Sequence, residues 1–72
     1  MYNETIKERL TNLRIESGLS QEKLSEKTGI PHHIIAKIEA GYRQPDTETV
    51  GKLAEFHDVS IDYIYGLGKK HK

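Results

Sequence analysis

The sequence contains no cysteine and no tryptophan, and only two prolines and one phenylalanine among its 72 residues. The lack of cysteine excludes disulfide bonds and cysteine-based zinc sites, which fits a reducing cytosol. No apolar run approaches the length that spans a membrane, and charged residues interrupt residues 1–20 throughout. We therefore expect one small cytoplasmic domain, with no membrane segment and no signal peptide.

The chain also lacks an excess of either charge, since 11 basic and 11 acidic residues give a formal net charge of zero. This balance argues against a protein that binds polyanions strongly and without specificity. Any nucleic-acid binding must come from a locally basic face. Charged residues still make up 31% of the chain, as is typical of a helix-rich domain with a solvated surface.

What the sequence does contain is helical periodicity, which predicts an all-α bundle of five helices. The expected helices cover about residues 5–17, 21–27, 31–40, 46–57 and 60–66, and Asn3 is the expected cap of the first. The expected core residues are Ile6, Leu10, Leu13, Leu24, Ile30, Ile35, Ile38, Val50, Leu53 and Ile64. Ile15 falls off the apolar stripe, so we expect it to be partly exposed. Residues 1–68 form the predicted domain, and residues 69–72 a short, disordered basic tail.

Residues 19–39 hold two short helices joined by a tight turn. Ser20 is a good N-cap for the first, and Gly29 suits the left-handed conformation that ends it. Pro31 begins the second helix with its φ already set, although it offers no side-chain cap. Ile35 and Ile38 share the buried face of this second helix, because they lie three residues apart.

The opposite face of the second helix carries hydrogen-bond donors, one positive charge and a small methyl group. The residues on it are His32, His33, Ala36 and Lys37. Such a face suits entry into a DNA major groove, where lysine matches guanine and alanine can meet a thymine methyl. A solvated helix start is the ordinary alternative for a pair of surface histidines. Adjacent histidines on a helix do not converge, so we expect no metal site and no cofactor.

The stretch resembles the helix-turn-helix of the XRE family, the phage Cro and CI repressor type. The matching residues are Leu19, Ser20, Gln21, Glu22, Leu24, Gly29, Ile30, Ile35, Ile38, Glu39, Gly41 and Pro45. The first helix matches at Ile6, Arg9, Leu10, Leu13, Arg14 and Gly18, and the run to Gly66 resembles the family's last two helices. The resemblance covers nearly the whole chain and implies a lambda-repressor-like fold.

The resemblance also implies roles for individual residues. His32, His33, Ala36 and Lys37 fall on the family's base-contacting positions. Backbone contacts to DNA are implied for Ser20 and Gln21 at a helix N-terminus, and for Tyr42 and Arg43 in the following loop. For Tyr42 a merely solvated loop is the alternative. Arg14 and Glu39 resemble the family's internal ion pair, which joins the first helix to the end of the third.

The last helix carries more large apolar groups than so small a core can take. We expect Tyr63 and Ile64 to pack inward and Ile61 and Tyr65 to be exposed. The resemblance implies a dimer interface at Ile61 and Tyr65. Aromatic capping of the monomer core is the equally weighted alternative.

Together these features predict a sequence-specific DNA-binding transcriptional regulator, most simply a dimeric repressor of phage or bacterial origin. It would read a pseudo-palindromic double-stranded operator in the bacterial cytosol or nucleoid. The alternative is an antitoxin or other protein-interaction module on the same scaffold, with a protein antirepressor or toxin as partner. No catalytic constellation is evident, because the chain lacks a cysteine nucleophile and a phosphate-cradling glycine loop.

Overall fold

The described residues form a bundle of five helices. In the computed structural model the backbone is described for residues 2–70 and the side chains for residues 5–70. The helices are α1 (Tyr2–Glu16), α2 (Gln21–Thr28), α3 (His32–Ala40), α4 (Thr47–His57) and α5 (Ile61–Ile64). The described residues contain no strand, and the all-α prediction is confirmed. None of these helices is long and apolar enough to cross a membrane. The prediction that Asn3 caps the first helix is wrong, because α1 already begins at Tyr2 and Asn3 lies within it.

Side-chain oxygens fix the starts of three helices. Ser20, Asp46 and Ser60 accept bonds from the backbone N–H groups of Lys23, Thr49 and Tyr63, at 3.0, 2.8 and 2.9 Å. Each such cap typically contributes about 1 kcal/mol, because it satisfies an N–H group that has no partner within the helix. Helix α3 follows Pro31 and has no side-chain cap, as the sequence predicts.

The core contains every residue expected there, together with Ala54 and Val59. Val59 lies between the expected fourth and fifth helices and outside the expected core, yet it is only 1% exposed. Asp58 ends α4 in the left-handed conformation, with φ at 56°, and the chain then turns inward. Ile15 is exposed, as its position off the apolar stripe predicts.

Helix α5 contacts both α1 and α4, which bears on the two alternatives for its apolar side chains. Ile64 is fully buried and Ile61 is 43% exposed, as expected. Tyr65, by contrast, is half-buried and packs against the core instead of being exposed. The position of Tyr65 agrees with the alternative of aromatic capping of the core, while Ile61 and Asp62 of α5 stay exposed. Tyr63 is also half-buried, and the Arg9 guanidinium carbon lies 4.2 Å from its ring centroid.

The chain folds back after α5 instead of leaving the domain at residue 68. The N–H of Leu67 donates to the carbonyl of Asp62 at 2.8 Å, and Ser60 N–H donates to the carbonyl of Lys70 at 2.9 Å. The Lys70 ammonium lies 3.2 Å from a carboxylate oxygen of Glu16. The prediction of a disordered tail is therefore wrong for residues 69 and 70, because backbone bonds hold them. Residues 71 and 72 lie outside the described residues.

His57 occupies the end of α4, where it faces the end of α1. Its Nδ1 lies 3.3 Å from Ser17 Oγ, whose own proton is donated to the Leu13 carbonyl at 2.9 Å. Ser17 must therefore accept from His57, which places the ring proton on Nδ1. The other nitrogen, Nε2, is buried and has no hydrogen-bond partner among the described residues. Burial lowers the pKa of His57 below its usual value, although Glu16 opposes this shift.

The first prediction concerns Gly66, which adopts a positive φ of 78°. A Cβ at this position would lie 2.8 Å from Thr5 Cγ2, whereas a Cβ at Gly18, with φ at 73°, would have no neighbour within 4 Å. Gly18→Ala should cost only the strain of the left-handed conformation, about 1 kcal/mol. Gly66→Ala should cost clearly more, because the Thr5 side chain must also shift. Urea unfolding of both variants measures this, and equal losses would contradict the described contact.

The second prediction concerns stability against pH. Because the folded-state pKa of His57 is lowered, its contribution to stability is complete above about pH 6.5, the unfolded value, and is lost as pH falls through the folded pKa. Protonation would place a charged N–H at the buried Nε2. The His57→Gln variant keeps a polar side chain but cannot titrate, so its melting temperature should fall less between about pH 7 and pH 5. If the melting temperatures of variant and wild type fall in parallel with pH, His57 does not contribute to the pH dependence of stability.

Candidate nucleic-acid interface

Helix α3 has one buried face and one exposed face. Ile35 and Ile38, each only 3% exposed, hold it against the core. The other side presents the residues expected to contact bases, which are His32, His33, Ala36 and Lys37. Three of them are exposed, and Ala36 is half-buried. A short helix thus displays a polar surface that its buried isoleucines keep in place.

The turn between α2 and α3 is fixed by local hydrogen bonds. Gly29 adopts the left-handed conformation with φ at 79°, and its N–H donates to the Ser25 carbonyl at 2.9 Å. The Ser25 hydroxyl in turn donates to the carbonyl of Ile30 at 2.6 Å. A hydroxyl residue in α2 therefore bonds the turn itself. These bonds set the direction in which α3 leaves α2.

Arg14 and Glu39 form a bidentate ion pair between α1 and α3. Arg14 Nε and Nη2 donate to the two Glu39 oxygens at 2.8 and 3.0 Å, and Nη1 donates to the Leu19 carbonyl at 2.8 Å. The side chains are only 16% and 8% exposed. The hydrogen bonds to Glu39 raise the pKa of Arg14 above its ordinary value, although burial of the guanidinium opposes this shift.

Gln21 lies beside this ion pair, a contact that the sequence did not reveal. Its Nε2 donates to Glu39 Oε1 at 3.0 Å, and its Oε1 lies 3.2 Å from His32 Nε2. The start of α2 therefore touches the start of α3. Gln21 was singled out only as a phosphate-binding residue, because its contact with Glu39 depends on packing between residues 18 positions apart in sequence.

The loop after α3 extends the same surface. Tyr42 is 85% exposed, and Arg43 is also exposed. Lys7 of α1 approaches this loop, since its side chain lies 3.4 Å from the place where a Cβ on Gly41 would be. Sequence reasoning missed Lys7, and no local signal marks it, because the contact arises from the packing of α1 beside α3.

The cations of this surface are available for an external anion. Neither Lys37 nor Arg43 forms a salt bridge with any residue of the range 5–70, whose side chains are described. The pKa of Asp46 is lowered, mainly by the N–H of Thr49 and to a smaller extent by Arg43, so one carboxylate accompanies that arginine. Within the same range, no group of three histidines or acidic residues is placed to hold a metal ion.

Comparison with known proteins identifies the fold family. A family model described as helix-turn-helix matches residues 10–64. The chain is 36% identical over 64 residues to the HTH-type transcriptional regulator ImmR of Bacillus subtilis, covering 89% of this chain and 50% of that protein. It is 40% identical over 60 residues to the uncharacterized HTH-type transcriptional regulator YobD of B. subtilis, covering 83% and 54%.

A phage protein gives a similar match. The cryptic phage CTXphi transcriptional repressor RstR of Vibrio cholerae is 36% identical over 53 residues, which cover 74% of this chain and 48% of the repressor. The chain thus spans about half the length of the curated relatives it matches. Since the family model covers more than half of the chain, including α2 and α3, the chain belongs to the helix-turn-helix family, of the XRE type.

Proposed function

We propose that this chain is a sequence-specific DNA-binding transcriptional regulator that inserts α3 into the major groove. The observation that carries the proposal is the exposed polar face of α3, held by two buried isoleucines beside the N-terminus of α2. The relatives are named as transcriptional regulators, and RstR as a repressor, which supports the same function here. None of these names denotes an enzyme, in agreement with the prediction from sequence.

Each part of the surface has a place in this proposal. His32, His33, Ala36 and Lys37 contact base edges, and among them Lys37 suits the O6 and N7 acceptors of guanine. Phosphate contacts come from the start of α2, at Ser20 and Gln21, and from Tyr42 and Arg43. The hydroxyl oxygen of Ser20 already accepts the Lys23 N–H, so this residue contributes mainly by holding the helix N-terminus open to a phosphate.

The third prediction tests DNA binding itself. On an operator selected from a random pool, Arg43→Ala should weaken binding to all sequences and lower the slope of log affinity against log salt by about 1. Lys37→Ala should instead cost about 1–3 kcal/mol and relax the preference at one base position. Lys27→Ala is the matched control, because this exposed lysine lies in the last turn of α2, at the opposite end from Gln21.

Fluorescence anisotropy across a salt series measures these effects. A chain that binds no DNA at low salt would contradict the proposal and favour the protein-interaction alternative, an antitoxin-like module. If Lys37→Ala and Lys27→Ala change affinity and base preference equally, α3 does not make the base contacts. The zero net charge makes the low-salt measurement important, since long-range attraction from the rest of the surface is small.

We further propose that two copies associate through α5. Ile61 borders a shallow groove of about 320 Å³, lined also by Gly51, Ala54, Val59, Ser60 and Asp62. Tyr65 is half-buried in the monomer, so it offers less surface to a partner than its sequence position suggests. A two-fold dimer of this kind would place two α3 helices about 34 Å apart, over half-sites one helical turn from each other.

The fourth prediction tests this interface. Ile61→Glu should dissociate the dimer and weaken binding to a palindromic operator while the monomer stays folded, because Ile61 is 43% exposed. The matched control is Ile15→Glu, which adds the same charge at an isoleucine that is 59% exposed on α1. Sedimentation and gel-shift titration measure the two variants. If both behave as wild type, Ile61 is not in the interface.

A further inference from the structure

Four polar side chains form an unbroken series of hydrogen bonds from α1 to the exposed start of α3. Arg14 donates to Glu39 from two nitrogens, Gln21 Nε2 donates to Glu39 Oε1, and Gln21 Oε1 meets His32 Nε2. The donor-to-acceptor distances are 2.8, 3.0, 3.0 and 3.2 Å in that order. The series runs from Arg14 through the nearly buried Glu39 carboxylate and Gln21 to His32, which lies on the proposed DNA surface.

The direction of every bond in this series follows from its buried end. An ion-paired carboxylate only accepts hydrogen bonds, so Glu39 must face the NH₂ group of Gln21 and not its carbonyl oxygen. That requirement settles the orientation of the amide, which geometry alone leaves ambiguous. The carbonyl oxygen Oε1 is then the atom next to His32, and it too can only accept. The proton in this last bond therefore belongs to His32 Nε2.

We infer that Glu39 and Gln21 are positioning residues that fix His32 in the tautomer with its proton on Nε2. In the neutral ring, Nδ1 then carries the lone pair and acts as a hydrogen-bond acceptor. His32 consequently offers DNA an acceptor rather than the N–H donor that its residue type first suggests. The complementary groups in the major groove are the exocyclic amino groups of adenine and cytosine.

This tautomer gives His32 and Lys37, near the two ends of α3, opposite base preferences. Lys37 carries donors only and suits guanine, whereas His32 in this tautomer disfavours the O6 and N7 acceptors of guanine. The consequence for base choice rests on the proposed DNA-binding function. The tautomer itself does not, because the hydrogen bonds that fix it lie within the free protein.

His33 provides an internal reference for the experiment. It is exposed, like His32, and lies next to it on the same helix, but its ring makes no hydrogen bond with any described residue. Two-bond ¹H–¹⁵N correlation spectra of protein with labelled histidine report the tautomer of each ring separately. At about pH 8, where histidine rings are neutral, His32 should show a larger Nε2–H share than His33.

Two substitutions should abolish that difference between the rings. Glu39→Gln replaces the carboxylate by an amide that no longer dictates how Gln21 faces, and Gln21→Ala removes the link altogether. In both variants the Nε2–H share of His32 should fall to that of His33 or below. Arg14→Gln is the matched control, because it weakens the same ion pair but leaves a carboxylate at position 39.

Thermal melts check that each variant is folded, and Gln21→Ala serves if Glu39→Gln is too unstable to study. Equal tautomer populations for His32 and His33 in the wild-type protein would overturn the inference. So would the same change in Arg14→Gln as in Glu39→Gln, since the effect would then follow from lost stability and not from the orientation of Gln21.

A second arm measures the consequence on DNA. On a selected operator, Glu39→Gln should reduce discrimination against guanine at one position by roughly tenfold, whereas Arg14→Gln should leave that preference unchanged. If the spectra agree but the base preference stays the same in both variants, His32 is held as inferred but its Nδ1 does not select the base. If the chain binds no DNA, the proposed function fails while the tautomer result stands.

Discussion

Burial of one face of α3 is the constraint on which the rest of the molecule depends. This helix has nine residues, too few to be stable alone in water. Ile35 and Ile38 lie beside Leu10, Leu24 and Leu53, which come from three other helices. Because these isoleucines must face the core, the side chains on the opposite face must face solvent. The exposed surface of α3 is thus a product of core packing.

Glu39 stands at the boundary between that core and that surface. Its carboxylate accepts from Arg14 of α1 and from Gln21 of α2, while it belongs to the last turn of α3. Desolvation offsets much of the attraction within such an ion pair, so the pair adds little net free energy of folding. Its main effect is to fix how the helices are arranged. The Glu39 carboxylate, which can only accept hydrogen bonds, therefore links three helices.

The sequence predicted those features whose causes are local. The starts of α2, α4 and α5 depend on capping oxygens at Ser20, Asp46 and Ser60, each only three residues from its bonded N–H. The core positions follow from helical spacing, and so does the exposure of Ile15. The burial of residues in short, irregular segments is harder to predict, because a turn has no periodicity that indicates which way a side chain points. Val59 is the example, since a single left-handed residue directs it inward.

Tertiary contacts account for what the sequence could not predict about the site. Tyr65 is half-buried because α5 touches two helices, and Lys70 is held because the chain folds back towards Ser60 and Glu16. The approach of Lys7 to Gly41 and the contact between Gln21 and Glu39 likewise join residues far apart in sequence. A resemblance assigns roles to positions, but it does not show which atoms of those residues are already engaged.

The distribution of ion pairs reconciles a zero net charge with a surface suited to an anion. Among the described residues, Glu39 is paired with Arg14, Glu26 with Lys23 and Glu16 with Lys70. Lys37 and Arg43 remain outside such pairs in the described part of the chain. Since screening limits the reach of surface charges to about 10 Å, a phosphate at α3 would interact mainly with these nearby cations and little with the balanced remainder. Local arrangement therefore matters more here than the total charge.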